Sequence, residues 1–177
     1  MISRVFARRA ALAAGLLLAT AASADAQRAS PRDSARATIG GANLLVDYSR
    51  PSMRGRDIFG ALVPWNQPWR TGADLPTTLT TDRAIAFGGT VLPAGTHAIY
   101  TLPAPSGWKL IVMTEVPGWG IPYPGEAKDR FRVDMTTSQL AAPVEMLTIK
   151  LETQGEGGVL AVEWDRTRAS IPFTVRR

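Results

Sequence analysis

The sequence predicts an all-β fold: a single antiparallel β-sandwich, jelly-roll or immunoglobulin-like, with one long Trp- and Arg-containing insertion. Three observations lead there. From Ala37 onward the apolar residues recur with a period of two, the signature of half-buried strands. Glycine- and proline-centred turn signals separate these short runs. No helical pattern is long enough to supply the crossovers a parallel sheet needs. The chain also lacks an internal repeat of fixed period, which argues against a propeller or solenoid.

The chain opens with a targeting pattern. Met1–Arg9 is basic, Ala10–Ala22 is uncharged around Leu16, Leu17 and Leu18, and small residues follow at Ala22, Ala24 and Ala26. That order reads as a signal peptide over 1–26, cleaved before Gln27, its apolar run being too short for an ordinary membrane span. The Arg8-Arg9 pair raises twin-arginine export, but its surroundings fit the general secretory route better. The expected location is the periplasm or the outside of the cell, with no transmembrane helix. Gln27–Arg36 is polar and reads as a flexible lead-in, and residues 37–177 as the β-sandwich domain.

Strands follow in order. Leu44, Val46 and Tyr48 alternate with Leu45, Asp47 and Ser49. Ile85–Phe87 and Val91-Leu92 flank the hairpin signal Gly88-Gly89. His97–Leu102 and Trp108–Met113 pair across Pro103–Gly107. Phe131, Val133 and Met135 make a further strand. Glu145, Leu147, Ile149 and Leu151 face one way, and Gly155–Gly158 turns the chain into Leu160, Val162 and Trp164. Ile171, Phe173 and Val175 close it. One short helical turn is expected at Asp57–Val63, with Asp57 as its N-cap.

Composition narrows the chemistry. The chain has no Cys, which removes disulfides, thiolate nucleophiles and Cys-based metal sites. Losing Met1–Ala26 from the 177 residues leaves 151, enough for one packed domain, and lowers the formal charge from +5 to +3. These charges are scattered, with no basic tract of the kind nucleic-acid binding requires. No cofactor is expected.

The insertion, Tyr48 to Asp74, is the strongest candidate for a site. Connections of this length usually bind or cover something, and its aromatic and aliphatic residues suit packing rather than disorder. It concentrates Arg50, Arg54, Arg56 and Arg70 beside Trp65 and Trp69. Trp65, Trp69, Arg70, Thr71, Gly72 and Asp74 are the candidate ligand-binding residues. A Trp face beside a five-donor Arg fork suits a sugar ring, or a carboxylate or phosphate next to an apolar group. Gly72 would admit close backbone approach. The alternative is architectural, with the Trp rings plugging one end of the fold and Arg70 satisfying loop carbonyls.

A second aromatic loop, Glu115–Arg130, adds Trp119 and Tyr123 as candidates, facing the first loop if both lie at one end. Otherwise it is a proline-stiffened cover. His97 is the only His and reads as a polar cross-strand residue, too isolated for a metal or a catalytic pair. Glu115, Glu126 and Asp129 could serve a hydrolase as paired carboxylates. The residues therefore favour a non-enzymatic binding module for a small polar or glycan-like ligand. A hydrolase using loop carboxylates and a domain docking on an envelope protein are the alternatives.

The chain also resembles a known family. Tyr48-Ser49-Arg50-Pro51, Gly55-Arg56, Ile58-Phe59-Gly60, Leu62-Val63-Pro64 and Trp69-Arg70-Thr71-Gly72-Ala73 carry the likeness. It continues through Leu92–Thr96, Trp108, Trp119-Gly120, Asp129, Pro143–Glu145, Leu160, Glu163-Trp164 and Pro172-Phe173. These residues are similar to exported bacterial proteins grouped as domain-of-unknown-function family 2911. The resemblance implies an exported, mostly β domain and assigns no activity and no site residue. It also implies Asn where Asp74 stands and an aromatic where His97 stands.

Overall fold

The computed structural model describes residues 30–176. The signal peptide read in Met1–Ala26 lies outside them.

The domain is all-β. Its strands are β1 (Arg32–Ile39), β2 (Ala42–Ser49), β3 (Thr77–Thr81), β4 (Ile85–Phe87), β5 (Thr90–Leu92), β6 (Gly95–Leu102), β7 (Trp108–Met113), β8 (Asp129–Gln154) and β9 (Gly157–Val175). They form one antiparallel sheet of nine strands in the order β1-β2-β3-β6-β7-β8-β9-β4-β5. β1 nevertheless packs against β8 and β9, so the sheet curls over on itself. The curled face encloses one core, with Leu44, Val46, Leu79, Ile99, Leu110, Leu147, Ile149, Leu160 and Val162 among its buried members.

Local chemistry explains most boundaries. In β2, Ala42, Leu44, Val46 and Tyr48 are buried while Asn43, Leu45 and Asp47 are less so, as the period of two requires; Ser49, at the strand's end, is buried as well. The β4–β5 and β6–β7 hairpins turn where the glycine and proline signals stand. Both edges are poor templates for further pairing: β1 carries Arg32, Asp33 and Arg36, and β5 has only three residues.

Four sequence expectations need correction. Strand β1 starts at Arg32, inside the supposed lead-in, because ladder pairing with β2 (Arg32↔Ser49 onward) needs backbone groups rather than apolar side chains. The runs at Phe131–Met135 and Glu145–Leu151 are one strand, β8, and those at Leu160–Trp164 and Ile171–Val175 are one strand, β9. Register shifts around Val144 bend this long hairpin without breaking it. Pro143 falls in the unpaired stretch, where its missing N–H costs no ladder bond. Finally, Asp57–Val63 is a tight turn, not helix. The Ile58 carbonyl accepts from both Ala61 and Val63, and Gly60 takes a φ of 93° against the Trp65 ring.

The strand β6 is buried on both faces, which simple alternation does not foresee. Ile99 and Thr101 face the main core. Ala98 and Tyr100 join Ile111 and Met113 on the outer face, where Leu102 and Tyr123 pack over them. The aromatic loop between β7 and β8 is thus a cover for the outside of the β6–β7 hairpin.

Candidate functional site

The insertion docks along a free edge of β8. Beyond Met135, β8 is no longer paired to β7, so its later residues have β9 on one side and an open edge on the other. The insertion fills that edge. Leu147 N–H donates to the Pro51 carbonyl, Met53 N–H to the Glu145 carbonyl, and Ile149 N–H to the Tyr48 hydroxyl at 3.1 Å. Arg50 completes the seam: its Nε donates to the Leu147 carbonyl, Nη2 to Thr148 Oγ1 and Nη1 to Asp33. An edge strand's unmet backbone groups therefore explain why this segment of the chain is ordered.

Aromatic packing fixes the remainder of the insertion. Phe59 sits against Trp65, Trp69, Trp108 and Trp164, with the Trp108 ring centroid at 4.8 Å. Trp69 stacks on Trp164 at 5.8 Å and exchanges two backbone hydrogen bonds with Thr101. Its indole N–H donates to the Gly72 carbonyl. Trp65 stacks on Phe59 and lies against Gly60.

Between the insertion and its surroundings lies a pocket of about 500 Å³. Four arginines line it, Arg50, Arg54, Arg56 and Arg70, against a single carboxylate, Asp74. Val63, Trp69, Trp164 and Ile121 supply apolar wall. The arginines differ in how much they have left to offer. Arg50 has all three nitrogens engaged. Arg56 spends Nε and Nη2 on the Met53 and Ser52 carbonyls. Arg70 gives only Nη1, to the Trp119 carbonyl. The Arg54 guanidinium makes no hydrogen bond or ion pair with any described residue; its backbone N–H alone is engaged, by Glu145. Within the pocket the unspent donors are thus concentrated on Arg54 and Arg70. Asp74 Oδ2 is enclosed with no hydrogen-bond partner among the described residues, and the residue has a φ of 57°.

The two aromatic loops do meet, and Arg70 joins them. Its guanidinium carbon lies 5.8 Å from the centre of the Trp119 ring. Gly120 packs against Pro76, Arg70 and the Tyr100 hydroxyl, which donates to the Gly120 carbonyl.

The eight residues singled out from sequence divide accordingly. Trp69, Arg70, Gly72 and Asp74 line the pocket. Trp119 reaches it only through Arg70, and Trp65 turns to Phe59. Thr71 is buried, with its hydroxyl on Trp69 and Thr101. Gly72 owes its small size to protein packing, since a Cβ there would lie 3.0 Å from Thr77 Oγ1 and 3.1 Å from the Ser49 carbonyl. Tyr123 belongs to another cluster. Its ring packs on Tyr100, its hydroxyl donates to Asp129, and Arg132 donates to it. Burial first, and then the bond to Asp129, push that hydroxyl up to about 12.

The loop carboxylates are similarly engaged. Glu115 pairs with Lys128, Glu126 with Arg132, and Asp129 with Arg132 and Tyr123. His97 is buried with Nε2 at 3.0 Å from the Pro93 carbonyl, paired across the ladder with Leu79. Among the described residues no group of three or more His, Asp or Glu could hold a metal ion. Sequence reasoning left Arg50, Arg54, Arg56 and Trp164 out of the candidate set. The crowding of arginines between Arg50 and Arg70 was the available signal.

A family described as Protein of unknown function (DUF2911) matches residues 30–173, nearly the whole described domain. No curated protein and no solved structure matches the chain.

Proposed function

The chain belongs to the DUF2911 family of unknown function, and we propose that it is a non-enzymatic binding module for a small polar ligand bearing an anionic group. The observation behind this reading is the pocket of about 500 Å³ in which four arginines meet one carboxylate beside an apolar wall. Clefts of about 300–1,000 Å³ with a few convergent polar groups are the usual form of small-ligand sites. The planar Arg fork suits bidentate capture of carboxylate or phosphate. A glycan-like ligand of this class would be a sugar acid or sugar phosphate, its ring against the wall and its charge on Arg54 and Arg70. In this reading the protein works in the periplasm or outside the cell, the compartment the leader pattern implies.

Thermal unfolding of the purified protein against neutral sugars, sugar acids, phosphates and small carboxylates tests the proposal. A ligand at about a hundred times its dissociation constant should add roughly 2.7 kcal/mol if it binds only the folded state. Anionic members of the panel are expected to raise Tm. Arg54→Gln is expected to weaken that response without lowering the ligand-free Tm, since its side chain bonds to no described residue. A panel with no anionic responder would overturn the proposal. So would responses unchanged in both Arg54→Gln and Arg70→Gln.

A further inference from the structure

Among the described residues, the large apolar side chains left strongly exposed are Leu62, Leu75, Val91, Val116, Trp119 and Ile121. All but Val91 lie in the two loops that Arg70 joins. Leu62, 43% exposed, and Ile121, 54% exposed, line the arginine pocket itself. Trp119 stands over Arg70, and Leu75 follows Asp74 in the chain. Single exposed apolar residues are ordinary on a protein surface. Two of them on the lining of one charged cavity, with Trp119 against its Arg70, are not, and such patches mark binding surfaces.

A simple ion would use the arginines and leave Leu62 and Ile121 in water. Resting on the pocket reading above, we infer that the ligand is an amphiphilic anion. Its phosphate or carboxylate head sits on Arg54 and Arg70, and its hydrocarbon chain leaves the pocket across Leu62 and Ile121. Charge selects the head: four arginines face one carboxylate. Shape selects a single molecule over a membrane surface. A concave seat takes one head group inward, whereas membrane-surface binding uses a broad face that lies in the plane of the lipid.

Calorimetric titration of the purified protein with octyl phosphate, inorganic phosphate and octyl glucoside, all below micelle formation, tests this. Each methylene moved from water onto the rim is worth about a fourfold gain in affinity. Octyl phosphate is therefore expected to bind at least about tenfold more tightly than inorganic phosphate, and octyl glucoside far more weakly than octyl phosphate. Both rim side chains are exposed, so a Leu62→Ser, Ile121→Ser double variant should fold normally. It should lose the gain from the octyl chain, so that the ratio of its affinities for octyl phosphate and inorganic phosphate falls to about one. Equal affinity for the two phosphates, with no effect of the double variant, would overturn the amphiphile inference and leave the pocket reading standing. Octyl glucoside binding as well as octyl phosphate would also overturn it, as would capture by phosphatidylglycerol vesicles without binding of octyl phosphate. Failure of every anion to bind would overturn both readings.

Discussion

Replacing Tyr48 by Phe tests how the insertion is held. The side chain is 2% exposed, and its hydroxyl accepts from Ile149 N–H at 3.1 Å on the edge of β8 that β7 leaves uncovered. Phe keeps the ring in the core and removes only the acceptor. The Ile149 N–H is then enclosed with nothing to receive it. An abandoned buried donor costs about 1–3 kcal/mol. At about 2–4 °C per kcal/mol for a domain near this size, Tm should fall by roughly 2–12 °C. Urea unfolding of both proteins gives the free energy directly. Hydrogen exchange supplies the local readout, because Ile149, Leu147 and Met53 lie along one seam and should all exchange faster in the variant. A change within about 0.3 kcal/mol, with exchange at Met53 and Leu147 unaltered, would refute the reasoning that this bond secures the insertion.

Three other outcomes are expected. In Gly60→Ala the new Cβ would sit 2.4 Å from Trp65 Nε1 at a φ of 93°, so the variant should lose about 1–3 kcal/mol and change the near-UV signal of its tryptophans. Burial alone would raise the Glu163 pKa, but hydrogen bonds from Lys150 and Arg168 outweigh it and hold the carboxyl below its ordinary value of 4.5. Its contribution is therefore present above about pH 4.5 and lost as the pH falls through the folded value. Glu163→Gln should cost about 1–3 kcal/mol near neutrality, below the full buried-pair figure because Lys150 is half exposed, and the difference from wild type should shrink in acid. All three tyrosines are raised above the ordinary value of 10, with burial the largest cause in each. Stability tied to their protons is intact below about pH 10 and declines as the pH rises through the folded values. Phenolate absorbance should therefore lag behind that of the urea-unfolded chain between about pH 10 and 12.

The sequence showed the strands well where one face is wet. Leu44, Val46 and Tyr48 announce β2, and Gly88-Gly89 announces its hairpin, because both signals are local. Length was hidden where a strand bends without a turn residue: Val144 and its neighbours shift register, and nothing in their composition says that β8 continues through them. Arg32–Arg36 look like a linker because an edge strand can be polar on both faces and still pair. In the insertion, residue types pointed to arginine and tryptophan chemistry, and Trp69, Arg70, Gly72 and Asp74 do share one pocket. Which way each loop side chain turns depends on partners far along the chain. Tyr123 is turned away by Tyr100, Asp129 and Arg132, and Arg54 is left open because the seam at Glu145 takes only its backbone.

The most direct test of an anion-binding pocket is to follow the arginine Nε–Hε resonances of ¹⁵N-labelled protein while inorganic phosphate is added. Among the described residues Arg54 and Arg70 keep whole nitrogens unbonded, whereas each Arg50 nitrogen already makes a bond that holds it in place. Saturable shifts at Arg54 and Arg70, with Arg50 nearly still, are the predicted result. Shifts spread evenly over exposed arginines, or no saturation at either Arg54 or Arg70, would contradict it.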